Sequence, residues 1–157
     1  MDIWIDLVFK LSGILISVSI LQQQLYGILV ARKSPSFLKY KFEATSFHNR
    51  LVKGISWAYD YPGILVLLII NTLITLFFLY QLLFGKVNMM LPLILVVLDQ
   101  LSYFRLRSLP SSDTPLKRAV LVSLFIHYCL DQKGISEILI IFQFTYLSVI
   151  YFASGYQ

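Results

Sequence analysis

The basic residues of this chain crowd into two gaps between long apolar runs, and that pattern constrains the fold more than any other feature. An apolar run of about twenty residues is long enough to cross a bilayer as a helix, and a helix satisfies its own backbone hydrogen bonds there. The runs 7–30, 62–84 and 135–155 meet that length. The run 87–105 meets it only by burying Asp99, and 116–130 only if Lys117 and Arg118 reach toward an interface. The expected fold is all-α: a polytopic membrane helix bundle of five spans, or four if 116–130 is re-entrant. Of 157 residues, 58% are hydrophobic and only 13% charged, against about 25% charged in a typical soluble domain. Too few polar groups are present to clothe a water-soluble surface, and the length suits one bundle rather than two domains.

Charge placement sets the expected orientation. The segment 32–61 carries Arg32, Lys33, Lys39, Lys41, Arg50 and Lys53, and 105–118 carries Arg105, Arg107, Lys117 and Arg118. The opposite side holds only Lys10, Lys86 and Lys133. The positive-inside rule then places the N-terminus outside and both basic loops, 32–61 and 105–118, in the cytoplasm. Loop placement explains the net charge of +5 without nucleic acid. Asp2 and Asp6 precede the first run, with no basic start or small-residue cleavage site, so that run reads as a retained span. Cys129 is the single cysteine, which excludes an internal disulfide or a CxxC centre. Within the first loop, Phe47, Leu51 and Ile55 share a face after Ser46 as N-cap, predicting an interfacial helix over 46–56, with partner docking as its functional alternative.

Polar residues inside the spans are the functional candidates, because ionisable groups are expensive in hydrocarbon. Asp6, Lys10, Gly13, Ser17 and Gln24 stand at offsets of 4, 7, 11 and 18, and so fall within roughly 60° of one another on a helix. Asp6 and Lys10 are spaced to pair. This stripe reads first as a helix-packing seam and second as a water-filled or substrate-lining face. Asp99 follows ten apolar residues, with Tyr103 and Arg107 at successive four-residue steps. It is either held ionised by a basic partner or kept neutral by burial, and serves either a polar ligand or a structural hub. Ser123, His127 and Asp131 are likewise four apart, so Asp131 is placed to orient His127. His48, the other histidine, sits in the first loop, so bis-histidine haem between spans is excluded. Glu137, Ser148 and Gly155 share one face of the last span beside Tyr151, with Gln143 and Ser154 on a second; both read as packing surfaces. No Walker loop, GxGxxG, HExxH, GxSxG or clustered metal-ligand motif occurs.

Leu98-Asp99-Gln100 with Tyr103-Phe104, and the end Ile150-Tyr151-Phe152-Ala153-Ser154-Gly155-Tyr156-Gln157, resemble segments of bacterial membrane proteins grouped with the DoxX/MauE and HTTM (vitamin K-dependent carboxylase-like) families. The resemblance covers under a fifth of the chain, with Asp99, Gln100, Ser154 and Gly155 at motif positions. It implies a bacterial inner-membrane bundle of four or more helices, associated with quinone or thiol redox systems or with membrane-protein maturation. Carboxylase chemistry is not implied, because no soluble catalytic domain is present and the chain stops at Gln157, where the family pattern continues with lysine.

Three functions are compatible with these residues. The first is a non-catalytic membrane subunit that packs into or assembles a larger complex, or into a homo-oligomer. The second is a quinone-binding or redox component using Asp99, Gln100, Tyr103 and His127, with bound lipid the other cofactor considered. The third is a small transporter or proton pathway lined by Asp6, Lys10, Ser17 and Gln24.

Overall fold

The computed structural model describes residues 3–33, 62–106, 114–130 and 132–155. The expected interfacial helix over 46–56, and Arg107 and Asp131, lie outside them. Five helices are described: α1 (Ile3–Lys33), α2 (Gly63–Phe84), α3 (Met90–Leu106), α4 (Thr114–Leu130) and α5 (Lys133–Gly155). The all-α expectation is met. Three helices are long and apolar enough to cross a membrane: α1, α2 and the Lys133–Ile150 stretch of α5. The described parts of α3 and α4 run 17 residues each, about 26 Å at the α-helical rise, and α4 also carries Lys117, Arg118 and His127. By length and composition, three of the described helices qualify as spans, and the other two expected from the apolar runs fall short of that measure over their described residues.

Buried positions on α2 recur as Ile64, Leu68, Asn71, Thr75, Phe78 and Leu82, alternating steps of four and three. That is the heptad spacing of helices packed at a shallow angle. On α1 the buried set Gly13, Ser17, Ile20, Gln24, Gly27 and Ala31 follows the same rhythm. A Cβ on Gly13 would come within 2.9 Å of Leu82, which fixes the antiparallel register. Gly13 and Leu82 have numbers that sum to 95, and so do Ala31 and Ile64, which meet in one buried cluster. The same register sets Gln24 level with Asn71.

α4 also runs antiparallel to α1, since Phe9 stacks on His127 at 3.9 Å while Lys117 Nζ donates to Gln23 Oε1 at 2.8 Å. The α2–α3 connection is tight. Gly85 N–H donates to Gln81 O, Asn88 N–H donates to Gln81 Oε1 at 2.8 Å, and Asn88 Oδ1 accepts from Met90 N–H to start α3. The apolar core is Ile16, Ile20, Phe78, Leu82, Leu95, Leu121 and Leu124. α5 is the outlying helix: Ile138, Ile141 and Phe144 are each more than 60% exposed.

Candidate functional site

Two polar assemblies stand at opposite ends of that core. At the end where α1 finishes in Arg32 and Lys33, Asp99 is 1% exposed and meets Arg118 Nε at 3.4 Å, joining α3 to α4. The neighbouring Lys117 is almost fully buried and bonds Gln23, joining α4 to α1. A carboxylate in a low-dielectric interior is costly unless paired, so this contact accounts for Asp99 as an inter-helix tie. Gln100 is half-buried one residue on, off the Asp99 face. Tyr103 belongs to the helical part of α3, and its side chain lies outside what the structure describes.

Above this level Gln24 and Asn71 are both fully buried. Neither amide atom of Gln24, nor Asn71 Nδ2, has a hydrogen-bond partner among the described residues. Thr75 donates to Asn71 O at 2.7 Å, and Ser17 to Gly13 O at 2.7 Å. These hydroxyls bond back to their own helices, which uses their hydrogens and leaves none to donate across the seam. Part of the expected α1 stripe is thus a buried seam: Gly13, Ser17 and Gln24 line it by contact rather than by polar bonds.

The second assembly surrounds a cavity of about 420 Å³ lined by Asp6, Lys10, Gly85, Lys86, Val87, His127 and Tyr128. Asp6 and Lys10 pair at 2.9 Å, as their spacing predicts. His127 is 1% exposed, with Phe9 stacked on its ring and Tyr128 edge-on at 4.9 Å. Its Nδ1 lies 2.8 Å from Ser136 Oγ, and Ser136 gives its own hydrogen to Gln132 O at 3.0 Å. With that hydrogen on Gln132, the serine oxygen accepts from Nδ1–H of His127. Asp131, expected to orient this ring, lies outside the described residues. Ser123, the other expected member of that row, bonds Ala119 O instead.

The last helix departs from expectation. Glu137 is exposed and reaches Lys133 at 4.0 Å, and Ser148 is exposed and bonded to Phe144 O. The face turned into the bundle carries Ser136 and Gln143 instead. Seven residues separate that pair, close to two helical turns, whereas Glu137 lies about 100° round from Ser136. Glu137 and Ser148 therefore do not form a seam within the chain, and Gly155 closes the helix.

Asp99 and His127 are not brought together. Arg118, the partner of Asp99, is nine residues before His127, roughly 13 Å along α4. Buried Leu121 and Leu124 fill that interval. Sequence reasoning missed Arg118 as the partner of Asp99, and missed Asn71, Phe9 and Ser136. Asn71 hides in the most apolar run, and the others depend on contacts between helices. Among the described residues no three His, Cys, Asp or Glu side chains are grouped to hold a metal. The chain matches no protein-family model, no curated protein and no solved structure, so the resemblance given above rests on its quoted residues alone.

Proposed function

We propose that this chain is a non-catalytic integral membrane subunit, crossing the bilayer five times with its N-terminus outside, that packs into a larger membrane complex. The observation that carries this reading is the use of the buried ions. Asp99–Arg118 and Lys117–Gln23 tie helix to helix, and neither converges on the cavity. The short helices α3 and α4 cross with Arg118 and Lys117 held inside the bundle, on Asp99 and Gln23, rather than left unpaired in hydrocarbon. α5, bound lightly along one face, supplies apolar surface for lipid or a partner helix. A joint redox site at Asp99 and His127 gains no support from residues separated by buried leucines.

Native mass spectrometry of the chain gently extracted from its own membrane tests this. We expect stoichiometric protein partners. Asp99→Asn should lower partner capture, and adding Arg118→Gln should restore it, because the pair is removed together and no uncompensated ion remains. A chain isolated alone with a stoichiometric redox cofactor would overturn the reading. So would a double variant that assembles normally yet has lost an electron- or proton-transfer activity present in the wild type.

A further inference from the structure

We propose that the cavity at the N-terminal end of α1 is a binding site for the phosphodiester headgroup of an anionic lipid. Three features converge there. The first is charge: Asp6 and Lys10 cancel in their 2.9 Å pair, and Lys86 adds one positive charge to the lining. The Lys86 charge favours an anionic ligand at this mouth. The second is a waiting donor: the Tyr128 hydroxyl is buried without a hydrogen-bond partner among the described residues. A phenol in that position is satisfied by an incoming oxygen, and leaving that bond unmade is a cost to the fold. Asp6 acts on Tyr128 electrostatically, but its short contact is with Lys10.

The third feature is depth. Trp4 on the first turn of α1 and Tyr80 and Phe84 on the last turns of α2 are all exposed at this end. Tryptophan and tyrosine gather at the level of lipid headgroups. The cavity, of about 420 Å³, lies at the same end, between the start of α1, the Gly85–Val87 turn and the last turn of α4. The Phe9–His127 stack and the Ser136 bond hold one wall in place, so little ordering is needed on binding.

The test uses the full chain in nanodiscs of phosphatidylcholine doped with phosphatidylglycerol, with retained lipid counted by native mass spectrometry. One phosphatidylglycerol should persist on each chain, and Lys86→Gln and Tyr128→Phe should each weaken retention about tenfold. Lys86→Arg should keep it, and so should Lys33→Gln at the far end of α1. Melting curves establish that the variants remain folded; both changes are conservative, and Lys86 is exposed on a turn. Displacement of the lipid by inorganic phosphate would keep the oxyanion site and name the free anion as a competing occupant; persistence against phosphate identifies the lipid. Retention unchanged in both Lys86→Gln and Tyr128→Phe would overturn the proposal. So would an equal loss in Lys33→Gln, which would reduce the effect to diffuse attraction.

Discussion

At the residue scale, Gly13 marks a close approach between α1 and its neighbours. An added Cβ would lie 2.9 and 3.2 Å from the two methyls of Leu82 and 3.4 Å from a methyl of Leu124. Those atoms are the ends of flexible side chains, so a single methyl can be accommodated by a small shift. Alanine also gains about 1 kcal/mol of helix propensity over glycine, which offsets that shift. Gly13→Ala should therefore change stability by less than about 1 kcal/mol, while Gly13→Ile should destabilise by about 1–3 kcal/mol through overpacking. Thermal unfolding in detergent distinguishes them, and equal midpoints for the two variants would show that α1 and α2 are not packed at this spot. Gly13 was legible in the sequence because it falls on the polar stripe of α1. Its opposite number Leu82 was not, because one leucine in an apolar run carries no mark of which face it occupies.

At the element scale, the α1–α2 pair shows what hydropathy reveals and what it conceals. Both helices were legible from their apolar lengths, and the stripe on α1 from its 3.6-residue recurrence. The heptad face of α2 was not, since nearly every residue of that helix is apolar and periodicity has no contrast to work on. Asn71 was passed over for this reason, although register sets it level with Gln24 and both are fully buried. The Gln24 side chain has no hydrogen-bond partner among the described residues. A buried amide in that condition is a net cost, and an apolar replacement of similar shape removes it. Gln24→Met should thus raise the unfolding free energy by about 1 kcal/mol in chemical or thermal denaturation. A decrease of that size would mean that the amide is bonded across the α1–α2 seam, through Asn71 or an ordered water.

At the scale of the whole molecule, one geometric fact joins the charge pattern to the proposed topology. Lys33 ends α1, while Lys133 begins α5 in the sequence vicinity of His127, whose ring stacks on Phe9 near the start of α1. The two lysines therefore sit at opposite ends of the bundle, about the length of α1 apart. Its 31 residues extend about 46 Å, more than the roughly 30 Å of hydrocarbon. Both side chains are exposed, so each can be replaced by cysteine at little cost, and the 4.0 Å contact of Lys133 with Glu137 is of the exposed kind that contributes little. In a Cys129→Ser background, Lys133→Cys should react with a membrane-impermeant maleimide in intact cells, and Lys33→Cys only after permeabilisation. The reverse pattern would keep the span and invert the orientation read from the basic loops. Labelling of both from the same side would contradict a membrane-crossing α1, and with it the proposed bilayer as the solvent of this fold's exposed leucines, isoleucines and phenylalanines.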